Sequence, residues 1–527
     1  MEPPIHEFPA PMIARRLAPA LGLILLAAAP LAGQLAPITV PRGLLRLDFG
    51  GRFDYWDRRF LNGTRQDAAG DFIRDPLDGS FLADLALDEA ELRRITGVQA
   101  ISLSLGKSAS SMLVNVGTAS IGAAYGLGRR LSVFGTVPIV RVRVQNTFAI
   151  DTTGATAGFN PAHPLFGDAT LASQTTLFLA ELEAALSTLT NKLAAGDYDG
   201  NPTQKILAQQ TLTQGTALRT DLEALFLAAT FLPLAGTSGA VAITTPIESL
   251  RTNITSLSVP GFTAAPAFPA AKVDGTAFQD YATQADGPIA GDRFQPPILQ
   301  YIGDIEVGAA FAWLERRPAR GLAIRSVIQG TVRLRTGKLD LPDSFFDLST
   351  GDYQPDVQGD LVTDLMAGGL GARLTARFVY QLPGRLTRRI SPPDQPIAPA
   401  ASTAALERDP GEILELGIEP YLRLGPTLAL MAGLRRWNKG ADRYTYVRNQ
   451  TPIEGLSPDV LAIDSKENGA VLSAALSFAH DGKRKDGSTG FPMDASVRWE
   501  RVIGSSLGRV PIRHTVAMQL RLYRKLF

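Results

Sequence analysis

Leu45-Arg46-Leu47-Asp48-Phe49-Gly50-Gly51-Arg52-Phe53-Asp54-Tyr55 alternates strictly. Leu45, Leu47, Phe49, Gly51, Phe53 and Tyr55 form one face; Arg46, Asp48, Gly50, Arg52 and Asp54 form the other. A period of two is the mark of a β-strand, whose successive side chains leave opposite sides of the pleat. One face is aromatic and aliphatic, the other ionic. Such a strand suits half-burial in a soluble sheet. It equally suits the wall of an outer-membrane barrel, which takes about 9–11 residues per crossing.

The same alternation returns in pairs. Met112 to Tyr125 precedes the tight Gly126-Leu127-Gly128-Arg129-Arg130 and then Leu131 to Gln145. Further pairs are Tyr301–Leu314 with Leu322–Thr336, Asp360–Gly368 with Gly371–Leu382, Glu412–Leu424 with Leu428–Arg435, and Val471–His480 with Met493–Val502; Ile512–Phe527 stands last. Turns inside pairs are mostly a few residues long. Connections between pairs are long: Asp57–Gly97, Thr147–Leu299, Gly337–Gly359, Gly384–Gly411 and Gly440–Gly469. Sorting of short turns from long loops is the asymmetry of outer-membrane barrels, and a soluble sandwich has no reason for it. The expected fold is therefore all-β, an antiparallel transmembrane β-barrel of about twelve strands over residues 44–527. Of the four tryptophans, Trp313 and Trp499 fall on the apolar phase, whereas Trp56 and Trp437 fall on the other.

Residues 1–33 read as a signal peptide: Arg15 and Arg16 precede the apolar run Leu17–Leu31, with a cleavage region at Ala32-Gly33-Gln34. Pro19 and Pro30 interrupt that run, which argues against a membrane anchor. Met12 is an alternative start. No other stretch is long and apolar enough for a helical span.

The chain has 527 residues with 52 basic and 51 acidic side chains, so a nucleic-acid partner is not expected. Cysteine is absent, which removes disulfides, thiolate metal sites and a lipid-anchoring cysteine, and suits export through an oxidising compartment.

Residues 151–299 break the β pattern. Leu179, Leu182, Leu186, Leu189 and Leu193 make a helical stripe, with Asp168 as a cap and Gly196 as a stop. Asn201-Pro202 opens a second helix with the stripe Leu218, Leu222, Leu225 and Ala229. The expectation is a helical hairpin in an extracellular loop, followed by the Pro- and Ala-rich Ser258–Ala271. It is either a lid or partner-binding arm, or a stalk that packs on itself or folds into the barrel mouth.

Gly504-Ser505-Ser506-Leu507-Gly508 fits the pattern of a nucleophile elbow, but a strand follows and no acid separates Ser506 from His514. A hairpin loop accounts for it, and no enzyme is expected. Asp197-Tyr198-Asp199-Gly200-Asn201 resembles a calcium loop, yet Ala208 stands where the bidentate Glu belongs. Gly106-Lys107-Ser108 lacks the upstream glycine of a phosphate loop. The four histidines have no metal-ligand spacing. Neither metal nor cofactor is expected.

The charged faces remain. Asp304, Glu306, Glu415 and Glu419 lie on the non-lipid face of down-going strands, and Arg325, Arg333, Arg335, Arg373 and Arg377 on that of their neighbours; Arg498 shares this phase. In a lumen these groups form either a salt-bridge network that stiffens the barrel or a polar conduit with an arginine ladder facing acids. Twelve strands fall between a self-filled eight and an open sixteen, so a narrow or plugged passage is expected.

The run Tyr125-Gly126-Leu127-Gly128-Arg129-Arg130-Leu131-Ser132-Val133-Phe134-Gly135-Thr136-Val137-Pro138-Ile139-Val140-Arg141 resembles a hairpin of bacterial outer-membrane barrels related to the meta-pathway phenol-degradation and fatty-acid transporter-like families. Tyr301-Ile302-Gly303-Asp304-Ile305-Glu306-Val307-Gly308 is similar to the next strand of that group. Terminal Phe527 resembles the aromatic read by the barrel-assembly machinery, although Arg521 and Lys525 share its phase where the signal prefers apolar residues. The resemblance implies an outer-membrane location, contact with outer-membrane lipid and the assembly machinery, and passage of a small-molecule solute, hydrophobic compounds among them. The competing expectation is a non-conducting structural or adhesive barrel whose insertion binds a partner.

Overall fold

The structure is a computed structural model; it describes residues 38–318, 321–346, 348–351, 354–425, 427–482 and 490–526. Residues 1–33, expected to be a signal peptide, and Phe527, expected to be an assembly signal, lie outside the described residues.

Twelve long strands form one antiparallel ring. They are β1 (Leu44–Trp56), β2 (Lys107–Gly126), β3 (Leu131–Asp151), β4 (Ile305–Arg316), β5 (Ala323–Leu334) and β6 (Asp356–Ala367). The second half comprises β7 (Leu370–Gln381), β8 (Ile413–Arg423), β9 (Leu428–Lys439), β10 (Glu467–His480), β11 (Met493–Gly504) and β12 (His514–Lys525). Each pairs with its sequence neighbours. The ring closes because β1 pairs with β2 on one edge and β12 on the other, with Tyr55 opposite both Asn115 and His514. Closure pairs the strands on both sides through the apolar belt, the condition for a sheet to stand in hydrocarbon; beyond β4, residues 299–302 pair with Ile139–Val142 of β3.

The burial pattern is inverted relative to a soluble protein. Phe49 and Phe53 are about 40% exposed on the outside of β1, while Arg46 and Asp54 on the inside are below 9%. Leu361, Phe378, Leu416, Leu434, Leu472 and Leu520 repeat the outward pattern around the ring. Each such side chain contributes about 1.5–3 kcal/mol only when an apolar medium covers it. Bilayer is that medium. Trp313 fits the lipid face without an orphaned donor: its indole N–H donates to Ser326 Oγ at 3.0 Å, and that hydroxyl pairs with Thr363 at 2.8 Å.

Two tryptophans on the other phase point inward. Trp56 packs into the core at the loop end of the ring. The Trp437 indole lies over Gly469 of the neighbouring strand, where a Cβ would come within 2.1 Å of the ring. Glycine there is a seat for the aromatic.

Residues 127–130, 317–322, 368–369, 424–427 and 481–492 connect strands at one end of the ring. The other end carries residues 57–106, 152–304, 335–355, 382–412, 440–466 and 505–513. The strands run further than the alternation alone suggests: β2 starts at Lys107 rather than Met112, β3 continues to Asp151 and β10 starts at Glu467. Beyond the apolar belt both faces are mixed, so the period-two signal fades while the ladder continues.

Five helices cover the loop end. α1 (Ala83–Thr96) comes from the first long loop; α2 (Ala169–Ala195), α3 (Pro202–Ala228), α4 (Ser238–Ser256) and α5 (Gly275–Thr283) come from the insertion. Asp168 caps α2 by accepting from Thr170 and Leu171 N–H, and Gly196 ends it in a left-handed conformation. Asn201 caps α3 and Pro202 opens it. The spacing argument finds the α2–α3 hairpin but not α4 and α5. Pro246 and a run of β-branched residues mask α4, although Ala240, Ile243, Ile247, Leu250 and Ile254 keep helical spacing. The insertion is therefore not a free hairpin. Phe178, Leu182, Phe226 and Ile243 share one core with Val114, Val142 and Val144 of the barrel wall. Ser258–Ala271 is extended and tied down: Glu181 accepts from the N–H groups of Thr263 and Ala264, each at 2.8 Å. Those two bonds hold the Glu181 carboxyl below the usual carboxylate range.

Candidate functional site: a charged lumen

The interior of the ring carries arginines and carboxylates on facing strands, because each sits on the phase opposite the outward leucines. Arg333 Nη1 meets Asp356 at 3.0 Å, and its Nε lies 3.6 Å from Glu306. Arg373 grips both oxygens of Asp364, at 2.7 and 3.0 Å. A longer chain runs along the inner wall from β6 to β11. Arg377 bonds Asp360 at 2.7 Å and lies 3.8 Å from Glu415. Arg435 lies 3.6 Å from Glu415 and 3.2 Å from Glu500. Arg498 joins Glu419 at 2.5 Å and Glu500 at 3.7 Å. Toward the turn end, Arg521 stands between Asp48 at 3.5 Å and Asp494 at 3.6 Å, and Tyr523 donates to Asp494 at 2.6 Å.

Sharing is the physical point. A lone charge taken out of water is expensive, and one partner rarely repays that cost. A chain of alternating sign gives each group two or more neighbours and leaves the sum near neutral. Around it lies a cavity of about 290 Å³, lined among others by Asp360, Arg377, Glu415, Arg435, Arg498 and Glu500.

Eight of the residues singled out from sequence sit on the inner wall: Glu306, Arg325, Arg333, Arg373, Arg377, Glu415, Glu419 and Arg498. Two stand elsewhere. Asp304 precedes β4 and accepts from the backbone N–H of Thr336 and Gly337, at 3.1 and 2.8 Å, so it fastens the rim. Arg335 follows the end of β5 and is exposed. Arg325 is on the wall near the turn end, opposite Asp364, and donates to the Thr39 hydroxyl. Asp356, Asp360, Asp364, Arg435 and Glu500 complete the network and were missed. Their signal was present, since each alternates with outward Val357, Leu361, Leu365, Leu434 and Trp499.

The turn end of the lumen holds a segment that sequence did not place there. Val40 N–H donates to Ser132 Oγ at 2.7 Å, and that hydroxyl donates back to the Val40 carbonyl at 3.1 Å. Ile38 packs on inward Ala310, Ala312 and Val327 and borders the charged cavity. Small alanines on the wall make room for it.

At the loop end, α1 presents Asp84 and Asp88 one turn apart against the insertion. Asp88 accepts the Phe231 N–H at 2.7 Å, and Asp84 accepts the Tyr281 hydroxyl at 2.8 Å. Burial, aided by nearby Asp84, pushes the Asp88 carboxyl up to about 7 against the pull of the Phe231 N–H. Burial and the Asp84 charge likewise raise the Tyr281 phenol.

The remaining motifs resolve as loops. Ser506 lies in the 505–508 turn and takes a hydrogen bond from Asn468 Nδ2 at 2.8 Å. His514 stacks on Tyr55 with ring centres 4.9 Å apart on the outer wall. Asp197 pairs with Lys192 and Asp199 with Lys205. Among the described residues, no three His, Asp or Glu side chains gather as metal ligands.

The closed ring, its apolar outside and ionic inside define a transmembrane β-barrel of the outer-membrane type. No family model matches the chain, and no curated protein sequence matches it. Among solved structures it is similar to an outer-membrane channel from Pseudomonas putida F1, with 9% identity over 93% of this chain and 100% of that one and a TM-score of 0.40. A FadL homologue of Pseudomonas aeruginosa matches at 8% identity over 92% and 90%, with a TM-score of 0.25. The toluene transporter TbuX of Ralstonia pickettii matches at 8% over 95% and 96%, with a TM-score of 0.28. Scores this low carry no argument, and the class rests on the ring itself.

Proposed function

We propose that the chain is a passive outer-membrane channel for small solutes, gated by the lid over its loop end and the 38–42 segment at its turn end. The observation that carries this reading is the charged, partly open lumen: a cavity of about 290 Å³ inside a wall whose cations and anions are paired with one another. That volume would hold roughly ten waters at about 30 Å³ each. A barrel filled only for stiffness has no need of space there. Paired charges also offer a passing ion or polar solute groups to exchange with, which is how side-chain rings confer selectivity. Hydrophobic solutes would use the other side of the lumen, where Val116 and Val140 of β2 and β3 continue the lid's apolar core.

Conductance of the purified, folded protein in planar bilayers tests the reading. A channel passes ions in discrete steps, and Arg435→Gln with Arg498→Gln shifts its reversal potential toward cation preference. Absence of conductance, both in the intact chain and in one whose lid contacts are loosened by Leu182→Ala, would favour a non-conducting barrel whose lid binds a partner.

A further inference from the structure

Arg333, Arg373, Arg377, Arg435 and Arg498 on the inner wall are ion-paired; four arginines toward the long-loop end of the outer wall pair with no described residue. Arg141 and Arg143 of β3, Arg436 of β9 and Arg501 of β11 take the outward phase, alternating with buried Val142, Val144 and Val502 and with inward Trp437. The first three are exposed and Arg501 is half-buried. None of the four makes an ion pair with another described residue, whereas Arg333, Arg373, Arg377, Arg435 and Arg498 all do.

Their level is set by the register. Arg143 lies opposite Asn115, which is opposite Tyr55, which is opposite His514, which is opposite Arg501. Arg141 lies opposite Gly117, the partner of Phe53. Arg436 lies between Leu416 and Ala470. Toward the turn end the outward positions carry no charge along the belt: Phe49 and Leu47 on β1, Ile139 to Val133 on β3, Leu434 and Leu430 on β9, Val497 on β11, Met518 and Leu520 on β12. The arginines stand at the loop-end margin of that belt: Arg141 and Arg143 are level with Phe53 and Tyr55, Arg436 is beside Leu416 and Arg501 beside Leu472. All four lie toward the long-loop end, where no carboxylate shares the outward strand face until Asp151 at the tip of β3; Arg316 and Arg524 take the outward phase at the turn end.

Four guanidinium groups at a belt's edge, facing away from the protein and lacking protein anions, call for anions supplied by the surrounding lipid. Guanidinium matches phosphate by parallel N–H donors, and aromatic margins mark the headgroup level. We propose that Arg141 with Arg143 on β3, and Arg436 with Arg501 on β9 and β11, form two patches on different sides of the ring that bind the phosphate groups of the phosphorylated glycolipid of the outer leaflet. The inference rests on the loop end facing that leaflet, and it is independent of conduction.

The test uses the folded full chain in detergent, titrated with bisphosphorylated lipid A and followed by native mass spectrometry. Dephosphorylated lipid A with the same acyl chains is the companion probe. R141Q/R143Q/R436Q/R501Q is expected to weaken lipid A binding more than tenfold and to leave the dephosphorylated probe unchanged. R129Q/R130Q, at the turn end, is expected to stay within twofold of the parent. Gel mobility before and after heating reports whether each variant is folded; R141Q/R143Q and R436Q/R501Q made separately keep the test available should the quadruple variant not fold. Equal binding of the two lipids by the parent, or lipid A affinity within twofold of the parent in the folded quadruple variant, overturns the proposal.

Discussion

Replacing Arg373 by Met isolates what pairing contributes inside the lumen. Arg373 holds Asp364 by two parallel bonds of 2.7 and 3.0 Å, and both side chains are less than a fifth exposed. Removing one partner of a buried pair typically costs about 3–5 kcal/mol, because the survivor stays desolvated. Some water reaches this pair, so the expectation is the lower figure, about 3 kcal/mol, or roughly a 150-fold fall in the folding equilibrium constant. Asp364→Leu alone should cost a similar amount. The double variant removes both charges and should return to within about 1 kcal/mol of the parent, since apolar replacements of a buried pair are often neutral. Reversible unfolding in urea from lipid vesicles, followed by tryptophan fluorescence, gives all four corners of the cycle. If each single variant lies within about 0.5 kcal/mol of the parent, the lumen is wet enough to solvate lone charges, and the argument from shared pairing is wrong.

Other consequences follow from individual contacts. Trp313→Phe removes the indole donor to Ser326 on the lipid face and should cost about 1 kcal/mol in the same unfolding assay. Ser132→Ala removes both bonds to Val40; faster protease cleavage within residues 38–43 and more frequent channel opening are expected. Leu182→Ala opens a cavity in the lid core and should cost the lid about 3 kcal/mol, read as faster hydrogen exchange in α2 and α3 with barrel amides unchanged. Asp88 makes lid docking pH-dependent. Its folded value near 7 exceeds the unfolded value near 4, so docking is strongest below pH 4 and weakens by about 1.4 kcal/mol per unit from pH 4 to 7 before levelling off. Asp88→Asn should abolish that slope in exchange rates measured for residues 229–233.

The sequence is most readable where one face meets oil and the other meets charge. β1, β7 and β8 meet that condition along their length, and their phase and limits follow from alternation to within a residue or two. The start of β6 was harder, because Gly359 interrupts the apolar face and Asp356 precedes the expected first residue. With it went Asp356, the partner of Arg333. Asp304 and Arg335 were placed on the wall because they extend the alternation of β4 and β5 by one step, but the ladder ends before them and backbone geometry takes over. The place of residues 38–42 depends on contacts across about ninety residues of chain, Val40 to Ser132, and no local pattern announces it. α4 had the spacing of a helix yet the composition of a strand, so packing against Phe178 and Leu250's neighbours in the lid core decided it.

Accessibility of labels along residues 45–55 in lipid vesicles tests the central claim most directly, and the natural absence of cysteine makes each single-cysteine variant clean. Nitroxides at 47, 49, 51 and 53 should collide with oxygen dissolved in the bilayer, and those at 46, 48, 50 and 52 should not, giving a period of two across the membrane. Uniform accessibility, or maxima at the even positions, would contradict a ring with lipid outside and ion pairs within.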